Sequence, residues 1–266
     1  MREHIGLIGI GAMGSALLKG LLSSGIEPDK IIVADAAEAK LQQAAVTYQV
    51  LIGEVCEVAT AARVLFLAVK PQDMPSLLLQ LSPLLQQDQV VVSVAAGVTI
   101  QAIEENLSAQ VGVIRVMPNT PCLINAGVLA ISAGHHVQEA DIHLVETWLK
   151  NMGSVYLVPE KLLDAVTAVS GSGPAYVYLF LEALADGGVL AGLPRVLAQE
   201  LAVETVLGAA QMVKATAQHP ALLREMVTSP GGTTAAALLA LEQGGLRGTL
   251  QQAVKAAAER SKELGS

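Results

Sequence analysis

The stretch Ile5-Gly6-Leu7-Ile8-Gly9-Ile10-Gly11-Ala12-Met13-Gly14 constrains this chain more than any other. An apolar run leads into glycines spaced G-x-G-x-x-G, and an amphipathic segment with Ala16, Leu17, Leu18, Leu21 and Leu22 comes next. Strand, tight turn and helix in that order are the context in which this glycine spacing signals a dinucleotide site. Each glycine has a separate task. Gly9 permits the turn, Gly11 lets backbone approach a pyrophosphate, and Gly14 lets the helix sit close on the strand. The helix N-terminus adds free N–H groups and a positive dipole end. Ile8, Gly9, Ile10, Gly11, Ala12, Met13 and Gly14 are therefore expected to contact a dinucleotide cofactor.

The alternation of strand and helix repeats along the chain. Lys30–Ala34 reads as a second parallel strand ending at Asp35, and a helix runs from Glu38 to about Tyr48. A short strand near Val50–Ile52, a fourth over Val64–Val69 and a leucine-rich helix over Pro75–Leu85 come next. Val90–Val94 and Val111–Met117 make the fifth and sixth strands, and Gly127–Ser132 and Ser154–Val158 add two more around a helix carrying Trp148. Continuous apolar runs separated by helices mark a mainly parallel sheet covered on both faces. Beyond Glu160 no strand candidate remains, only alanine-rich helical stretches. The expected architecture is α/β: a doubly wound, Rossmann-type domain over residues 1–160, then an all-α domain over 161–266.

Composition narrows the function classes. Of 266 residues, 52% are hydrophobic and only 15% charged, enough apolar mass for sizeable cores. A net charge of −8 with no Lys/Arg run argues against nucleic acid as a partner. Cys56 and Cys122 lie far apart without metal-like spacing, and five scattered histidines supply no ligand set, so no metal is expected. Free thiols and the absence of a secretory-type leader point to the cytoplasm. The apolar stretch Ala175–Ala191 is interrupted by Glu182, Asp186 and Gly187-Gly188 and is shorter than the ~20 residues a bilayer requires. It reads as a buried helix in a protein that does not enter a membrane. The wide apolar surface of the helical part points to a homodimer.

In an open parallel sheet, ligands bind beyond the carboxyl ends of the strands. Here those ends carry Gly9–Gly14, Asp35, Ala68-Val69-Lys70-Pro71, Ala95-Ala96-Gly97 and Met117-Pro118-Asn119-Thr120-Pro121. Small residues there leave room for a flat ring, Lys70 offers a cation, and Asn119 an amide that donates and accepts. Asp35 stands about twenty residues after the glycines, where a carboxylate hydrogen-bonds an adenosine ribose 2′-OH. It would repel a 2′-phosphate, which favours NADH over NADPH; a cap on the helix after it is the competing role for the same side chain. In the helical part, Ser229-Pro230-Gly231-Gly232-Thr233-Thr234 opens a helix with exposed N–H groups and three hydroxyls. It reads either as a cradle for a small carboxylate or as a simple helix cap.

These segments together carry a resemblance. FLAVKP (Phe66–Pro71), VVSVAAGV (Val91–Val98), MPNTP (Met117–Pro121), DAVTAVSGSGPAY (Asp164–Tyr176), EALADGGVLAGLPR (Glu182–Arg195) and SPGGTT (Ser229–Thr234) resemble the pyrroline-5-carboxylate reductase family, which makes proline. The resemblance implies NAD(P)H-dependent reduction of 1-pyrroline-5-carboxylate, a helical domain that interleaves with a second subunit, and a ring of dimers. It places cofactor contacts on Gly9–Gly14 and on Ala68, Val69, Lys70 and Pro71, with Ala95, Ala96 and Gly97 near the nicotinamide. It places the substrate carboxylate on Ser229, Gly231, Gly232 and Thr233, the Thr234 hydroxyl near the ring nitrogen, and Glu160 at the substrate's edge. Two departures concern the adenosine end. Asp35-Ala36-Ala37 replaces a Ser/Thr-type phosphate-binding turn, and Val55 replaces an asparagine.

Overall fold

The computed structural model describes residues 3–107 and 110–265. The apolar runs alternate between two cores. On the fourth strand, Val64 and Phe66 enter one core while Leu65 and Leu67 enter the other, and Val90, Val91 and Val92 divide the same way. Period-two side chains on a continuous apolar run force this result: both sheet faces must be covered.

The elements in order are β1 (His4–Ile8), α1 (Ala12–Ser23), β2 (Ile31–Ala34), α2 (Glu38–Tyr48), β3 (Leu51–Ile52), α3 (Val55–Ala61), β4 (Ala62–Leu67), α4 (Met74–Leu81), β5 (Val90–Ser93), α5 (Ile100–Glu105), β6 (Gly112–Met117), β7 (Gly127–Ala133), α6 (Glu139–Leu149) and β8 (Gly153–Leu157). Then come α7 (Leu163–Val166), α8 (Gly173–Leu190), α9 (Arg195–Thr216), α10 (Pro220–Met226), α11 (Thr233–Gln243) and α12 (Leu246–Leu264). The eight strands form one sheet in the order β3-β2-β1-β4-β5-β6-β7-β8, parallel except for the antiparallel pair β6–β7. The order reverses between β1 and β4, and the glycine turn leaves β1 at that switch point.

Leu17, Leu18 and Leu21 of α1 pack with Val145 and Leu149 of α6 on one face. Val58, Leu77, Leu78, Leu81 and Ile103, from α3, α4 and α5, cover the other. The tilted ring pair Phe66–Trp148, 6.4 Å between centroids, ties β4 to α6.

Contacts divide the chain after Ser172, with the stretch from Ala256 onward rejoining the first unit and Gly173–Lys255 forming a second. The change of composition near residue 160 therefore comes before the end of the first unit. The intervening segment packs back: Leu163 and Ala168 are fully buried, and α7 lies against β7. Within the second unit, α8 and α9 meet through Ala185, Ala198 and Ala202, which form a small core of buried residues. Most of the large side chains there stay exposed, Leu179 at 67% and Leu190 at 90%. By length and composition α9 is apolar enough to cross a membrane, with 11% of its apolar window buried.

One ion pair positions the sheet's functional edge. Arg115 in β6 is buried, and its Nη1 donates to Glu160 Oε1 at 3.0 Å. The same oxygen accepts from the backbone N–H of Ile100 at 2.8 Å, so Glu160 joins β6 to the start of α5. Glu160→Ala should destabilise the fold by about 2–3 kcal/mol, below the usual cost of stranding a buried charge because Glu160 is partly exposed. Glu160→Gln keeps an acceptor and should lose less; urea denaturation of the two variants checks the order, and equal losses would contradict it.

Candidate active site

The glycine turn has the geometry its spacing predicts. Gly9 adopts φ 98°, and a Cβ there would lie 2.6 Å from the carbonyl oxygen of Ala68. A Cβ on Gly14 would collide with the carbonyl oxygen of Gly9, whereas Gly11 faces open space. So Gly9 and Gly14 are required by close packing and Gly11 by access. Gly11 is also the N-cap of α1 and brings no side chain, leaving the first N–H groups, from Ala12 on, without an intrahelical partner.

Asp35 stands beside this turn and does more than the sequence foretells. Its Oδ2 accepts from Ile10 N at 2.6 Å and its Oδ1 from Ala37 N at 2.8 Å. The carboxylate therefore clamps the turn after β1 to the entry of α2. Asp35 is not a cap on α2, whose N-cap is Ala37 with no side-chain cap; it holds Ala37 N just before the helix and stands beside the turn, with lone pairs remaining for a hydroxyl. A cleft of about 550 Å³ opens here, lined by Ile8, Gly9, Gly11, Asp35, Ala68, Val69 and Lys70, and by Lys40, Glu54 and Val55. The sheet thus brings together the residues expected at the adenosine and pyrophosphate end, and adds Lys40 as a second cation. Pro71 opens the short helical turn Pro71–Asp73 just after Lys70.

Further along the strand ends, Ala95 and Gly97 are buried and Ala96 is exposed. Ala95 N donates to Ser93 Oγ at 3.3 Å, and Gly97 has φ 78°. Asn119 is 8% exposed and its amide serves the protein itself. Nδ2 donates to Ser170 O at 3.0 Å, while Oδ1 accepts from Val128 N at 2.9 Å. The structure thus gives Asn119 the job of holding the π-helical turn Thr167–Gly171 to the end of β6, in place of the open contact its position suggests. Burial pushes the thiol of neighbouring Cys122 up, which makes it a packing residue and a poor nucleophile. Glu160, expected at the substrate's edge, has its carboxylate on Arg115 and Ile100 N. Sequence reasoning passes over Arg115, although one arginine inside an apolar strand is a visible signal.

The second unit contains the SPGGTT loop. Gly232 N donates to Ser229 O at 3.0 Å across Pro230 and Gly231, and Gly231 has φ 67°. Proline second and a positive-φ glycine third is the pattern of a type II turn. Gly232 is the N-cap of α11 and contributes no side-chain cap; a Cβ on it would strike Ser229 Oγ. The loop therefore presents the Ser229 hydroxyl, Thr233, half-buried Thr234 and the uncapped N–H groups of an 11-residue helix. Donors without a lysine suit a small carboxylate. Two of the histidines have structural work elsewhere: His219 caps α10 through Ala221 N, and His143 lies between Glu139 and Glu146 on α6.

Comparison with known proteins agrees with both halves. Residues 160–264 match the family described as pyrroline-5-carboxylate reductase dimerisation, and residues 4–97 match NADP oxidoreductase, coenzyme F420-dependent. A pyrroline-5-carboxylate reductase from a Synechocystis strain is 45% identical over 267 residues, covering 100% of this chain and 99% of that protein. One from Pisum sativum is 43% identical, over 98% of this chain and 95% of that protein. Among solved structures, a pyrroline-5-carboxylate reductase from Coxiella burnetii superposes with a TM-score of 0.93 at 36% identity, covering 100% of both chains. A Plasmodium falciparum pyrroline carboxylate reductase with NADP bound gives 0.90 at 33% identity, covering 100% of this chain and 99% of the other. Similar from end to end in sequence and in fold, the chain belongs to the pyrroline-5-carboxylate reductase family.

Proposed function

We propose that this chain reduces 1-pyrroline-5-carboxylate to L-proline with its substrate carboxylate on Ser229, Gly231, Gly232 and Thr233, and its cofactor in the cleft beside Asp35. The observation that carries the substrate assignment is the uncapped, hydroxyl-rich start of α11 behind a type II turn. Five-membered imine carboxylates are small anions, and such a loop binds one by N–H donation and helix dipole alone.

The cleft fits a nicotinamide dinucleotide. Gly11 leaves room for a pyrophosphate, α1 offers its free N–H groups, Ala68, Val69 and Lys70 line the cleft, and Ala95–Gly97 stand at a further strand end. When bound, the reduced nicotinamide supplies the hydride taken up at the imine carbon. The chain's own contribution is placement. A protonated cyclic imine is already electrophilic, so holding it by its carboxylate in near-attack geometry provides the main advantage, about 7–11 kcal/mol in favourable cases. Thr234 comes one residue after the anion loop, and its hydroxyl orients the ring nitrogen. Glu160 acts behind the site, through Ile100 and Arg115.

The same reading gives the helical residues 161–266 the roles of dimerisation and substrate binding, with dimers assembling into a ring in the cytoplasm. It also favours NADH, because Asp35 puts a negative charge where a 2′-phosphate would have to lie. Lys40 and Lys70 line the same cleft, and their positive charges reduce that preference.

Three outcomes are expected. Purified protein given pyrroline-5-carboxylate oxidises reduced nicotinamide and yields proline; folded protein inert with both NADH and NADPH would sink the assignment. Thr234→Ala lowers kcat by about 10–100-fold, the range for a lost orienting contact, with cofactor affinity nearly unchanged. Loss of both together would show that Thr234 is a folding residue instead. Asp35→Asn keeps one oxygen acceptor but removes the charge, shifting the ratio of kcat/KM values toward NADPH by about tenfold, as expected for one unit charge at a few ångströms in a wet cleft. An unchanged ratio refutes the charge argument.

A further inference from the structure

Outside the residues given roles above, one contact bears directly on the strand-end turn Ala95–Gly97. The last turn of α12 lies over it, backbone to backbone. A Cβ on Gly97 would lie 3.0 Å from the carbonyl oxygen of Leu264, 3.1 Å from its carbonyl carbon and 3.4 Å from Gly265 N. In the reverse direction, a Cβ on Gly265 would lie 2.6 Å from the carbonyl oxygen of Gly97. Two glycines face each other, and a side chain on either would displace the other segment. This contact, with no side chain to adapt, transmits position rather than hydrophobic energy.

The helix end is itself fixed. Ser261 is 7% exposed, and its Oγ donates to Asp164 Oδ1 at 2.7 Å. Asp164 lies four residues after Glu160, whose carboxylate accepts from Ile100 N just downstream of the same turn. One short segment, Glu160 to Asp164, therefore holds the turn twice: through α5 on its exit, and through Ser261 and the end of α12 above it. On its entry side the turn is held by Ser93 Oγ.

We infer that Ser261, Leu264 and Gly265, anchored by Asp164, are positioning residues that fix the Ala95–Gly97 turn against the nicotinamide end of the cofactor. The inference rests on the reading that this turn meets the nicotinamide. A turn in a positive-φ conformation has no strand partner to keep it still, and a misplacement of about 1 Å at a reacting centre costs about a hundredfold in rate. The brace supplies the missing constraint from a distant part of the sequence.

The test uses Gly265→Val, which drives a branched side chain at the Gly97 carbonyl, with Ser261→Ala as the milder variant. Hydrogen exchange of the segment 94–99 should accelerate at least about tenfold in cofactor-free protein, as expected for a turn that opens locally while the sheet stays closed. Calorimetry should show NAD⁺ binding weakened about tenfold, a nicotinamide-end loss of the order a displaced contact gives, while the nicotinamide-free fragment ADP-ribose binds within about twofold of the parent. In turnover, kcat should fall more than the KM for pyrroline-5-carboxylate rises. Asp164→Ala should reproduce the loss, and Asp164→Asn, which keeps an oxygen acceptor for Ser261, should restore it. Unchanged exchange in both Gly265→Val and Ser261→Ala overturns the brace. Accelerated exchange with unaltered NAD⁺ binding overturns the positioning role by showing that the turn does not meet the nicotinamide.

Discussion

The site depends first on a carboxylate that binds backbone. Asp35 accepts from Ile10 N and Ala37 N, one oxygen to each, and so locks the turn that leaves β1 to the turn that leaves β2. Charged hydrogen bonds of this kind contribute roughly 1.5–3 kcal/mol each. Their geometric effect matters more. The three glycines bring no Cβ to the turn: Gly9 and Gly14 pack against backbone and Gly11 faces open space, while Ile10 between them is anchored in the core. The Asp35 bond to Ile10 N adds to that anchor and fixes the course of the turn. The same carboxylate that orders this turn also puts a negative charge in the cleft, so order and charge cannot be tuned independently there.

A second anchor repeats the logic at the other half of the sheet. Glu160 takes a backbone N–H from Ile100 and a guanidinium N–H from buried Arg115 with one oxygen. Asn119 takes Val128 N and gives to Ser170 O. In each case a polar side chain beyond a strand end is used to hold backbone, while Ala68, Ala96 and Gly11 bring little bulk to the same strand ends. This division suits a reaction whose substrate is already activated. Hydride acceptance by a protonated imine asks for distance and alignment, and no histidine is among the residues that line the cleft or form the SPGGTT loop.

How much of this is legible in the sequence depends on whether the cause is local. The strand positions and the two covered faces follow from the apolar runs, which lie within a residue or two of the observed strands. The three glycine roles are readable because turn chemistry is local, and so is the turn at Ser229–Gly232. The partners of Asp35, Glu160 and Asn119 are not readable, since the defining ones are 9 to 60 residues away and depend on which strands become neighbours. Asn119 shows the consequence. Its place at a strand end is plain from the sequence, but its amide is committed to Ser170 and Val128. The meeting of Gly97 with Gly265 lies further out of reach, because two glycines so far apart in a chain announce nothing until the fold brings them together.

The helical residues follow from a different constraint. The fully buried core shared by α8 and α9 is three alanines, with Leu181, Val189 and Leu193 packed against them, and most of the large side chains remain outside it, where burial would contribute about 25 cal/mol per Å². Leu179, Leu190 and Met226 are more than half exposed on helices that carry the family's dimerisation segment. A second copy of the chain is the cover such a surface requires. That also explains why α9 is long and apolar enough for a membrane span while only 11% of its apolar window is buried: a dimer interface and a bilayer place the same demand on a helix surface. The polar residues favour the dimer. Asp186 and Arg195 form an ion pair across the α8–α9 connection, and Glu182 lies one turn from Asp186 on the same helix. Charges at that density cost several kcal/mol in hydrocarbon but little in a protein interface that retains water.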